Sequence, residues 1–87
     1  MDSTNKVVWT NKAVRQARKL PPQDAKRIHA AVSDLAHMPN VTNIKRLSDH
    51  RYGYRQRVGN YRILFTWDGG IKIVEIHEVK KRDGNTY

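Results

Sequence analysis

The chain predicts an α+β domain, a helical hairpin packed on one face of a small, mostly antiparallel sheet in the order β-α-α-β-β-β. Three observations carry this. Apolar residues between 11 and 38 recur at helical spacing on either side of Pro21-Pro22. From Tyr52 onward the period changes to two. Gly59-Asn60 and Gly69-Gly70 then punctuate the second half as two-residue hairpin signals. At 87 residues the chain is one domain, 1–87, with a modest core.

Taken in order, Lys6-Val7-Val8-Trp9-Thr10 is short and rich in β-formers, which reads as a strand. Thr10 or Asn11 caps the helix that follows, whose Val14, Ala17 and Leu20 share one face. Pro21-Pro22 ends it, and Pro22 suits the first turn of the next. Ala25, Ile28, Val32, Leu35 and Ala36 carry this second helix to Met38, where Pro39-Asn40 stops it. Residues 40–51 are mixed, and Ile44 and Leu47 sit either in a short strand or in an extended loop. Residues 54–58, 61–67 and 71–79 are three consecutive strands.

The two hairpin loops fix an expected register. Gly59-Asn60 pairs Val58 with Tyr61, Arg57 with Arg62 and Gln56 with Ile63. Gly69-Gly70 pairs Trp67 with Lys72, Phe65 with Val74, Ile63 with Ile76 and Arg62 with His77. One sheet face then collects Val58, Tyr61, Ile63, Phe65, Trp67, Val74 and Ile76, and should lie under the helices. The other collects Arg55, Arg57, Arg62, Leu64, Thr66, Ile73, Glu75 and His77.

Charge narrows the function. Seventeen Lys and Arg oppose eight Asp and Glu, for +9, and the pI is near 10.3. Successive thirds of the chain carry +5, +3 and +1, so the charge belongs to the folding unit and is not a detachable tail. Such a field suits a polyanionic partner, with a surface serving solubility alone as the plainer reading. The absence of Cys excludes a disulfide scaffold, a thiolate zinc site and a cysteine nucleophile. No apolar run is long enough to span a bilayer, the N-terminus lacks a secretory signal, and a cytoplasmic location is expected.

Arg57 opposite Arg62 on an uncovered face is the sharpest local signal. Like charges so placed destabilise a strand pair by a few tenths to ~1 kcal/mol. A shared phosphate explains the arrangement; side chains splayed into water, or one neutralised by Glu75, also would. His77 on the same face belongs to the residue type whose unperturbed pKa suits proton transfer near neutrality, or is an ordinary strand histidine. His29, His37 and His50 show no metal-ligand spacing, and neither metal nor cofactor is expected. The basic end, Lys80-Lys81-Arg82 through Tyr87, is either a solvated terminus or a segment folded back across the arginine face.

These residues are familiar as a set. Tyr54-Arg55-Gln56-Arg57-Val58-Gly59-Asn60-Tyr61-Arg62-Ile63-Leu64-Phe65, the strand 71–79, Lys81/Arg82 and Tyr87 resemble the C-terminal half of the RelE/ParE toxin superfamily. The helical pair with its Lys19-Leu20-Pro21 junction is similar too, so the likeness covers roughly 6–87 and makes the chain a single RelE-like toxin domain. The RelE-like branch implies the toxin of a type II toxin–antitoxin pair, a ribosome-dependent, metal-free endoribonuclease that cleaves mRNA in the A site. Within the resemblance Arg62, Tyr87 and Lys81 or Arg82 are catalytic, and Arg55 and Arg57 match basic, RNA-binding positions of the preceding strand. The expected register adds His77 as a catalytic candidate, and the remaining basic residues Lys45, Arg46 and Arg51 are expected to bind RNA. Lys81 stands where RelE-like proteins often carry arginine, and the chain ends at Tyr87 where they often continue into a short helix. The implied partners are an acidic, RelB-like antitoxin, the ribosome and its mRNA, and operator DNA for the antitoxin complex. The rival readings are a ParE-like DNA gyrase inhibitor and a non-catalytic basic nucleic-acid-binding module.

The implied chemistry sets requirements. The substrate 2′-OH attacks phosphorus and leaves a 2′,3′-cyclic phosphate, so the protein must take a proton, stabilise charge and protonate the 5′-oxygen. Arg57, Arg62 and Lys81/Arg82 supply charge stabilisation. Tyr87 positions or deprotonates the 2′-OH, although an unperturbed phenol of pKa ~10 is only about 0.1% ionised at pH 7. His77 assists.

Overall fold

The computed structural model describes residues 4–81. Strand β1 spans Lys6–Trp9, and helices α1 (Asn11–Arg18) and α2 (Pro22–Ser33) follow, the second running into a 3-10 turn at Asp34–His37. Strands β2 (Ile44–Arg46), β3 (Tyr54–Val58), β4 (Tyr61–Asp68) and β5 (Ile73–Lys81) complete the chain. They form one five-stranded sheet in the order β1-β5-β4-β3-β2, antiparallel except where β1 pairs with β5. Among the described residues no helix is long and apolar enough to cross a membrane.

Local chemistry explains the helix ends. Thr10 caps α1, its Oγ1 accepting from the Ala13 amide at 3.2 Å. Pro22 opens α2 at a position where its missing N–H costs nothing. The expected helix to Met38 stops earlier and tightens into the 3-10 turn. Asn5 sits buried against that end, its side-chain amide donating to the carbonyls of Ala36 and Met38 at 3.0 and 3.1 Å. Carbonyls orphaned at the helix end thereby gain a partner.

The helices cover one face of the sheet. Ala13, Ile28, Val32, Leu35 and Met38 meet Val58, Tyr61, Ile63, Phe65, Val74, Ile76 and Val79 in one core, with Trp67 packed at its edge. Every residue expected on the covered face is there. Gln56 joins that face and satisfies its amide by donating to the Ala31 carbonyl at 2.8 Å. Tyr61 donates its hydroxyl to Asp24 of α2 at 2.7 Å.

The first hairpin has the expected register: Val58 faces Tyr61, Arg57 faces Arg62 and Gln56 faces Ile63. Its tight turn holds Gly59 at φ +55°, a conformation that favours glycine. The second hairpin departs from expectation. Its turn has four residues, 69–72, and pairs Asp68 with Ile73. Asp68 builds it by accepting from the amides of Gly70 and Ile71 at 2.8 and 3.2 Å. Trp67 therefore faces Val74, not Lys72, and Phe65 faces Ile76, not Val74. A two-residue shift keeps every side chain on its face, which is why periodicity alone did not detect it. A β-bulge beside Leu64/Phe65 then adds one more residue on β5, so Ile63 faces Val79 and Arg62 faces Lys80.

Phe65 is wholly buried and stacks on Tyr54 at 5.5 Å between centroids. Phe65→Ala is expected to cost ~3–5 kcal/mol. Urea unfolding should show this as a lower midpoint at unchanged slope.

Candidate nucleic-acid interface

The sheet face away from the helices is polar and cationic. Pairing places Arg57, Arg62 and Lys80 in one row across β3, β4 and β5, all three exposed. Neither arginine forms an ion pair among the described residues. One two-residue step along the strands, about 7 Å away, lies a second row of Lys45, Arg55, Leu64 and Glu78. Leu64 is buried despite facing away from the helices. Arg55 is half-buried, and its Nε makes no hydrogen bond among the described residues.

The bulge organises the next part of the face. Ile76 faces Phe65 and Glu78 faces Leu64, which leaves His77 as the extra residue. His77 Nε2 lies 3.2 Å from Thr66 Oγ1 and 3.2 Å from Glu75 Oε1. Tyr52 stacks on the imidazole with centroids 4.5 Å apart and planes 13° from parallel. Arg51 sits over the Tyr52 ring at 5.7 Å. Gly53, at φ +89°, makes the turn that brings Tyr52 back toward the sheet, a conformation a side chain would strain.

Glu78 lies between Lys12 of α1 at 3.5 Å and Lys80 at 3.7 Å. Burial pushes its carboxyl up, but the Lys80 and Lys12 cations, aided by hydrogen bonding from Tyr52 and Lys12, outweigh burial and hold it below the usual carboxylate value. A carboxyl depressed on folding contributes stability above its unfolded value and loses it as pH falls through the folded one. Urea unfolding followed from pH 7 into the acid range should therefore show a smaller loss of stability below about pH 4.5 for Glu78→Gln than for the parent.

Measured against the sequence-derived residues, the face unites Arg55, Arg57, Arg62 and Lys45 by register, with His77 on the same side. Arg51 joins through Tyr52. His77 is not opposite Arg62. Lys80 is, and Arg62 and Thr66 stand roughly 13 Å apart along β4. Glu75 accordingly meets His77 and not an arginine. Arg46 pairs with Tyr54, and Lys81 with Tyr61, which assigns both to the helix side of the sheet. Arg82 and Tyr87 lie outside the described residues. Tyr52, Thr66, Glu78 and Lys80 were not singled out as site residues. The signal for the bulge was present, since Ile76 and Val79 are apolar and three apart in a strand of period two.

Residues 7–85 match the family model described as the ParE toxin of the type II toxin–antitoxin system parDE. No curated protein matches. The fold resembles the RelBE2 toxin–antitoxin complex of Mycobacterium tuberculosis, with TM-score 0.78 and 28% identity over 91% of this chain and 99% of that one. It also resembles the archaeal RelE–RelB complex of Pyrococcus horikoshii, with TM-score 0.78 and 23% identity over 95% and 99%. The chromosomal ParDE system of Pseudomonas aeruginosa gives TM-score 0.69 and 17% identity over 94% and 100%. With its family model spanning nearly the whole sequence and both RelE and ParE systems among its structural neighbours, the chain belongs to the RelE/ParE superfamily of type II toxin–antitoxin toxins.

Proposed function

We propose that this toxin is a ribosome-dependent, metal-free endoribonuclease that cleaves mRNA in the A site through attack of the substrate 2′-OH. The observation that carries the reading is the row Arg57–Arg62–Lys80 on the open face, with neither arginine engaged by a carboxylate among the described residues. Three cations in one row match a phosphorane whose charge grows in the transition state. Lys80 stands opposite Arg62 and is read as joining the clamp alongside the Lys81 or Arg82 of the resemblance. Tyr87 retains the role of positioning or deprotonating the 2′-OH.

Dependence on the ribosome follows from what the face lacks. Tyr54, Tyr61 and Trp67 pack in or against the core, and Tyr52 is stacked on His77. No free aromatic platform is left among these four for reading bases, so a partner must present the strand. Lys45 and Arg51 then contact ribosomal RNA, and the antitoxin is an acidic, RelB-like chain able to cover +9. RelE-like structural neighbours solved with their antitoxins support that partner. Operator binding by the toxin–antitoxin complex belongs to the same reading.

A second reading is inhibition of DNA gyrase, favoured by the ParE description of the matching family model. Primer extension on mRNA after induction separates the two. Cleavage within coding sequence is expected for the parent, and Arg62→Ala should lower the rate on purified ribosomes ~10²–10³-fold. DNA damage with intact mRNA would replace the nuclease reading with the gyrase one. Arg62→Ala cutting at the parent rate would remove the phosphate clamp.

A further inference from the structure

The open face holds more than cations, and resting on the nuclease reading, its bulge deepens that reading. We propose that His77 is the group that protonates the leaving 5′-oxygen, with Glu75 and Thr66 orienting its imidazole and Tyr52 acting as a positioning residue that caps the ring.

The geometry supports a built proton-transfer centre. Nε2 is held at 3.2 Å by both the Glu75 carboxylate and the Thr66 hydroxyl. A carboxylate there fixes the proton on Nε2 and leaves Nδ1 as the working nitrogen. Nδ1 makes no hydrogen bond within residues 4–81 and is not sealed from solvent. The Tyr52 ring, 4.5 Å away and nearly parallel, removes rotational freedom from the imidazole. The side chain is 21% exposed, enough for contact from outside. The bulge is what turns His77 into this environment, a use to which bulges near active sites are often put.

The charged surroundings are mixed. Glu75 and Glu78 face the imidazole region from β5, Arg51 overlies its Tyr52 cap, and Lys12 of α1 acts through Glu78. From β4 the partner is Thr66. The row of Arg55 and Leu64 separates this centre from the row of Arg57 and Arg62. A phosphate held between the two rows would have guanidiniums at its non-bridging oxygens and Nδ1 at its 5′-oxygen, opposite the attacking 2′-oxygen, as an in-line displacement requires. The 2′-oxygen bonds to phosphorus and its proton passes to Tyr87 or, where Tyr87 only positions it, to solvent water. The P–O5′ bond breaks, its electron pair stays on the 5′-oxygen, and that oxygen takes the Nδ1 proton. Water then reprotonates the imidazole.

The test is single-turnover cleavage of A-site mRNA by the purified chain at saturating ribosomes, between about pH 5 and 8, the span in which an imidazole changes charge. The parent rate should fall as pH rises. His77→Gln should lower the rate on the order of 10²-fold and flatten that profile. Glu75→Gln and Tyr52→Ala should lower it roughly tenfold at unchanged ribosome affinity, with Tyr52→Phe restoring most of the loss. A His77→Gln variant with the parent rate and profile overturns the assignment, as does a loss explained wholly by weaker ribosome binding. Nitrogen-15 spectra of the free protein supply an independent reading. Neutral His77 should carry its proton on Nε2 and change tautomer balance in Glu75→Gln, and a proton resident on Nδ1 overturns the assignment. If the parent cuts nothing on ribosomes, the nuclease reading falls and this assignment with it.

Discussion

Ile76 and Val79 must both reach the core from a single strand, and they are three residues apart. A regular strand sends such residues to opposite faces. The extra residue at His77 resolves the conflict and changes the parity of everything after it. Val79 gains the core, Lys80 gains the place beside Arg62, and Lys81 is assigned to the helix side. The place of Lys80 in the cationic row and the setting of His77 thus share one cause, which is the demand for apolar burial at Val79.

That cause explains why the open face carries two kinds of chemistry side by side. At the hairpin end Arg57 and Arg62 stand opposite each other, a strand pairing that gains nothing locally. One step along, a carboxylate accompanies the cations, and Glu78 is shared by Lys12 and Lys80. Lys12 connects α1 to this face even though the helical pair packs on the other side, so the face is not independent of the helices.

Much of the architecture was legible because it rests on period and punctuation. Val58, Ile63, Phe65, Val74 and Ile76 announce a covered face whatever the register, and Gly59-Asn60 sets the first hairpin to the residue. The second hairpin was less legible. Gly69-Gly70 resembles a two-residue loop, whereas the Asp68 side chain builds a longer turn, with Lys72 at φ 56°. The 3-10 turn after Ser33 was hidden because Asn5, which bonds its Ala36 and Met38 carbonyls, is distant in sequence. Among site residues, the pairing of Arg57 with Arg62 followed from one tight turn. Tyr52 and Glu78 did not, since their contacts depend on a bulge and on a glycine turn that no local pattern expresses.

The bond from Tyr61 to Asp24 fastens α2 directly behind the arginine row. Its acceptance by the Asp24 carboxylate, with burial and the neighbouring negative charge adding to it, pushes the phenol above its ordinary value. The latch therefore keeps its proton in alkaline as well as neutral solution. Titration of this phenol therefore contributes nothing to how the open surface responds around neutral pH.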